Sequence, residues 1–197
     1  KDINKTKQGY FAGLPFPLKM LGQVHAGLGA TACSRLFKDN VANTDDNYVT
    51  ALLTAGLTPF GQTNSPEFGF KNITDSVLYG DTRNVWNSAY YSGGSSGGAA
   101  SAVAAGIFPM AGASDGGGSI RIPASFSGLI GLKVTRGLMP QGPVTYRGWQ
   151  GASTSGALTV SVRDTAHFLA EMQVMQEADP YQSQLLDKEI QIGRAHV

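Results

Sequence analysis

The chain has 197 residues, with 15 Lys and Arg against 14 Asp and Glu, a net charge of +1. So even a balance offers no electrostatic footprint for nucleic acid or an acidic membrane surface. The single cysteine, Cys33, excludes an intrachain disulfide and suits a cytoplasmic setting. Residues 84–114 carry no charge, but Gly, Ser, Asn and Ala dominate them and Pro109 interrupts them, so they lack the roughly twenty continuous apolar residues of a membrane span. Residues 1–7 hold no apolar signal segment and no initiator Met, which predicts a start inside a longer gene.

Strand-like and helix-like pieces alternate, predicting an α/β layer fold. Phe16–Leu18 suits a short buried strand that delivers Lys19 at its end. Asp45 or Asp46 caps a helix carrying Val49, Leu52, Leu53 and Leu57, with Gly56 near its stop, and Pro59–Gly61 opens an extended segment. The turn Ser95–Gly98 leads into a helix over Ala99–Ala105, rich in alanine and free of proline. Ile107–Ala113 reads as extended, Gly116–Gly118 as a sharp loop with Ser119 at its exit, and Phe126–Leu132 as an apolar core segment. Ser161-x-x-Asp164 makes a capping-box-like start to a helix with Phe168, Leu169, Met172 and Met175 on or near one face. No repeat, heptad or linker marks a second domain. Ile192–Val197 follows a polar stretch without periodicity and reads as a non-native tail, leaving one domain over residues 1–191.

The chemistry gathers in two glycine-rich segments, Gly-Gly-Ser-Ser-Gly-Gly at 93–98 and Ser-Asp-Gly-Gly-Gly-Ser at 114–119. Their serines, Ser95 and Ser119, sit among residues that let backbone N–H groups approach a ligand closely, which is how a developing oxyanion is held. Either glycine run alone reads equally well as a flexible turn. Gly93-x-Ser95-x-Gly97 also matches the nucleophile elbow of α/β-hydrolases, with Asp164 and His167 as partners in the right order. That elbow needs a hydrophobic strand before the serine, and residues 86–92, Trp-Asn-Ser-Ala-Tyr-Tyr-Ser, are a poor one. His25 and His167 read as loop and helix residues, and Asp45-Asp46 as helix-terminal charge rather than a metal pair. No metal-ligand spacing or phosphate loop is present, so no metal and no cofactor is expected.

Read together with the lysine in Pro15-Phe-Pro-Leu-Lys19, the two serine segments resemble the amidase signature family. Further matches run through Gly13-Leu14-Pro15, residues 61–68 and 82–87, Gly131-Leu132-Lys133 and residues 161–164, so the resemblance covers residues 10 to 175. It implies Ser119 as nucleophile, Ser95 as a bridging serine reached through a cis peptide from Gly94, and Lys19 as base. It further implies an oxyanion hole of the backbone N–H groups of Gly116, Gly117, Gly118 and Ser119, with Asp115 and Arg121 as a hydrogen-bonded scaffold for that loop. Met20, Gln62, Val85, Val134 and Thr159 depart from the family pattern, and none is in the triad. The implied fold is a central mixed sheet flanked by helices on both faces, well over twice this length. On that reading the present chain is an incomplete, inactive catalytic heart whose Phe126, Leu129, Ile130 and Leu132 lose cover. The implied activity is hydrolysis of a small-molecule amide. Ile122-Pro123-Ala124-Ser125 leans toward the cyclic amide dimer hydrolase branch, and a non-catalytic scaffold subunit is the other class kept open.

Overall fold

The structure is a computed structural model that describes residues 9–173 and 179–181. Strand β1, Pro15–Lys19, ends on the lysine as expected, with Phe16 and Leu18 fully buried. It pairs in parallel with β2, Thr58–Thr63, which sets Lys19 opposite Thr63. Between them lies α1, Asn47–Thr54, whose N-cap is Asp46, its side chain accepting from the Val49 N–H. An aspartate oxygen there satisfies one of the amides that a helix start leaves without an internal partner. Leu57, expected on this helix, falls beyond its end but is fully buried all the same.

Short β3 (Asp75–Ser76) and β4 (Gly80–Asp81) form a small antiparallel hairpin. Helix α2, Gly97–Ala104, follows the first glycine run. A Cβ on Gly98 would fall 2.3 Å from the Asn64 backbone nitrogen, so only glycine lets the two backbones meet there. Strand β5 is Met110–Asp115, shorter at its start than the extended run read from Ile107, and Ile107 itself is exposed. Helix α3 is Arg121–Ser127, β6 is Ile130–Gly131, β7 is Thr154–Thr159 and α4 is Val162–Met172. Ser161 caps α4 as its spacing predicts, accepting from the Asp164 N–H. Met175 and the 192–197 tail lie outside the described residues.

Strands β5, β7 and β6 form an antiparallel sheet in that order. The mixed character implied by the resemblance is present, but distributed over small separate sheets rather than in one. The period of two along β5 and β7 divides the apolar interior. Met110 and Ala157 join one core with Phe16, Leu18, Tyr48, Leu52, Phe168 and Met172, built on β1, α1 and α4. Ala111, Ala113 and Leu158 join another with Ala99, Val103, Ile120 and Ala124, built on α2 and α3. Helices therefore cover both faces. Phe126–Leu132 is not the core segment its composition suggests: Phe126 is 54% and Leu132 42% exposed, while Leu129 and Ile130 are partly buried. The chain leaves α3 through a left-handed Gly128 before reaching β6; Leu129 just beyond it packs on the α2–α3 core, and Phe126 and Leu132, two of the residues expected to lose cover, are exposed.

Candidate active site

The parity of β5 decides what reaches Lys19. Met110, Gly112 and Ser114 face the β1 side. Gly112 is pressed by the buried Gln23, whose Oε1 would lie 2.0 Å from a Cβ at that position. Gln23 in turn accepts from the Lys19 backbone N–H at 2.8 Å and donates from Nε2 to the Ala113 carbonyl at 3.0 Å, tying the end of β1 to β5. Ser114, next on the same face, receives a hydrogen bond from Lys19 Nζ at 3.0 Å. Lys19 Nζ also donates to Ser95 Oγ, at 2.8 Å.

The Lys19 side chain is fully buried. Burial disfavours the ammonium form and pulls its pKa from 10.5 to about 7, against the opposing influence of Cys33 and Asp115. A buried amine with two hydroxyls in reach can hold or accept a proton near neutrality.

The peptide bond between Gly94 and Ser95 is cis, as the resemblance implies. Ser119 is buried, and its carbonyl accepts from the Ser96 N–H at 3.3 Å, which locks the two serine segments together. Ser95, Ser114, Gly116 and Ser119 all line one cavity of about 410 Å³. Among the described residues the Ser95 hydroxyl bonds Lys19 and not Ser119.

Asp115 organises the glycine loop that carries Ser119. Its buried carboxylate accepts from the backbone N–H groups of Gly118 at 2.9 Å, Ile120 at 3.0 Å and Arg121 at 3.2 Å, and from the Arg121 guanidinium through Nε at 3.0 Å and Nη2 at 2.9 Å. Burial pushes this carboxyl up, but the bonds from Arg121 and the three amides outweigh it and hold its pKa below the usual carboxylate range. Asp115 and Arg121 thus form a hydrogen-bonded scaffold around this loop. One expected oxyanion donor is lost to it, because the Gly118 N–H already donates to Asp115. The amides of Gly116, Gly117 and Ser119 make no such bond among the described residues. Asp115→Ala, which would strand three backbone donors inside the loop, is expected to destabilise the fold by about 3 kcal/mol or more. Arg121→Ala, removing a half-exposed side chain, should have a much smaller effect, and urea denaturation of the two variants checks that order.

The elbow partners lie elsewhere. Asp164 accepts from the Ser161 hydroxyl at 2.7 Å at the head of α4, and the His167 ring stacks on Tyr10 at 4.8 Å. His25 meets Asp45 at 2.7 Å. Among the described residues no group of three or more His, Cys, Asp or Glu is placed to hold a metal ion, and no helix is long and apolar enough to cross a membrane. Sequence reasoning missed Ser114 and Gln23. The alternation of β5 placed Ser114 on the lysine's face, and a glycine inside a strand signals close approach by a neighbour.

The sequence profile of the family described as Amidase matches residues 1–195. A lipoamidase from Enterococcus faecalis is 52% identical over 139 residues, which is 71% of this chain and 19% of that protein. The structure of a 6-aminohexanoate cyclic dimer hydrolase complexed with substrate superposes with a TM-score of 0.87 at 36% identity, over 93% of this chain and 39% of that one. A bacterial aryl acylamidase of the amidase signature family superposes at 0.85 with 35% identity, over 91% of this chain and 38% of that one. Across the first curated relatives the chain spans from 19% to 35% of their length.

Proposed function

The chain belongs to the amidase signature family, and from that premise we propose that it carries the catalytic centre of an amidohydrolase that cleaves a C–N amide bond through an acyl-enzyme on Ser119. The observation that supports this most is the fully buried Lys19 amine, 2.8 Å from Ser95 Oγ in the cavity wall that also holds Ser119. Neutral Lys19 takes the Ser95 proton as Ser95 takes that of Ser119, and Ser119 Oγ attacks the carbonyl carbon. Charge developing on the carbonyl oxygen is met by the amides of Gly116, Gly117 and Ser119. The C–N bond then breaks, and the amine departs with a proton returned through Ser95. Water, activated by the same relay, breaks the ester to release the acid and free Ser119. Ser114 accepts one N–H of the lysine, and in the neutral amine the lone pair takes the place of the N–H directed at Ser95, so that the Ser95 hydroxyl donates to it.

Similarity to cyclic dimer hydrolases supports small-molecule amides as the substrate class. The elbow reading loses ground because Asp164 and His167 are engaged with Ser161 and Tyr10.

Covalent labelling of the complete protein with a fluorophosphonate tests the reading. Mass spectrometry should place the adduct on Ser119, and the labelling rate should fall as pH drops through about 7, where Lys19 becomes protonated and can no longer accept. An adduct on Ser95, or a rate that does not respond to acid, would overturn it.

A further inference from the structure

The cavity that holds Ser95 and Ser119 has an aromatic wall for which proton transfer has no use. Phe68 and Trp149 both line it, from the short 3₁₀ turns Glu67–Gly69 and Gly148–Gly151. The Phe70 ring lies 6.1 Å from each of them, centroid to centroid, so three rings form one continuous face. Trp149 also packs on the nucleophile loop, where a Cβ on Gly116 would come within 2.8 Å of its ring.

Both lining aromatics have φ of 52°, in the left-handed region that bulky side chains rarely adopt. Such a backbone persists only where its surroundings hold it, and it concentrates at functional sites. Neither ring belongs to either hydrophobic core, so interior packing does not account for the strain. Leu21, Pro143 and Val144 add further apolar lining. Asp45 and Asp46 reach the cavity too, but His25 and the Ala26 N–H hold the first, and the Val24 and Val49 amides hold the second.

Resting on the amidase reading above, we infer that Trp149 is a specificity-determining residue, which holds an apolar acyl group against the face it shares with Phe68 and Phe70. The acyl group remains through both half-reactions while the amine leaves after the first. A fixed wall beside the nucleophile loop therefore serves the acyl group more than the amine.

Binding to the complete protein carrying Ser119→Ala tests this without turnover. By calorimetry octanamide should bind at least ~10-fold more tightly than acetamide, the scale at which apolar pockets sense added methylenes. Adding Trp149→Ala should remove most of that preference and leave acetamide unchanged, whereas Trp149→Phe should retain it. Phe70→Ala, at a position 74% exposed, should weaken octanamide alone and decides the matter if Trp149→Ala does not fold. Equal binding of the two amides, or a preference that survives removal of the ring, overturns the inference. A protein that prefers octanamide through Trp149 yet hydrolyses no amide would sink the amidase reading and leave this subsite standing.

Discussion

Ser119→Ala in the complete protein is expected to reduce kcat for a simple anilide by ~10⁴-fold or more, the scale seen when a serine nucleophile that works as part of a unit is removed. KM should change little, because the cavity wall, the loop amides and the aromatic face stay in place. Ser95→Ala should be milder. It breaks the proposed relay, but Lys19 keeps Ser114 as a partner and a water takes the vacated hydroxyl position. A progress curve at saturating anilide separates the two, and a Ser119→Ala enzyme that turns over within tenfold of the parent would remove Ser119 from the chemistry.

Lys19→Met should act in opposite directions on activity and stability. It removes the proposed base, for which a loss of ~10²–10⁴ in kcat/KM is ordinary. It also removes a group that the fold holds at a disadvantage. In the unfolded chain the amine keeps its proton up to about 10.5, whereas in the folded protein it gives it up at about 7. The unfolded state therefore binds more protons between those values, and stability rises with pH across that window. Below about 7 the penalty is fully present, on the order of 5 kcal/mol, and above about 10.5 it vanishes. The methionine variant should accordingly melt at a higher temperature than the parent at pH 6, with the difference shrinking toward pH 10. A gap that does not change with pH would show that Lys19 is folded with its proton on.

The end of β1, the helix caps and the glycine loops were legible because each rests on local chemistry. Asp46 and Ser161 cap where a short acceptor side chain precedes an apolar run, and Lys19 stands at the end of a strand whose other members are apolar. Phe126–Leu132 misled because apolar composition does not say which side chains find a neighbour: Leu129 packs on the α2–α3 core, while Phe126 and Leu132 stay exposed. The engagement of the Gly118 amide could not be read from three equivalent glycines in a row, since the choice depends on where the Asp115 oxygens point in space. The Trp149 wall was equally silent in the sequence. Its ring comes from a turn more than thirty residues beyond Gly116, and a tryptophan among glycine and glutamine carries no periodic signal.

The division of labour along β5 bears on which genetic changes this protein can survive. Neighbouring side chains of one six-residue strand serve opposite layers, even-numbered positions toward the lysine and odd-numbered ones toward α2 and α3. Substitutions among small residues leave that assignment intact, save at Gly112, where any Cβ would meet Gln23. Loss or gain of a single codon between 110 and 114 would reverse it, carrying an alanine methyl to the amine and a serine hydroxyl into the alanine-lined core. Length variation should therefore be absent from this strand even where its composition drifts, and should collect instead before Met110, at the exposed Ile107 and Pro109.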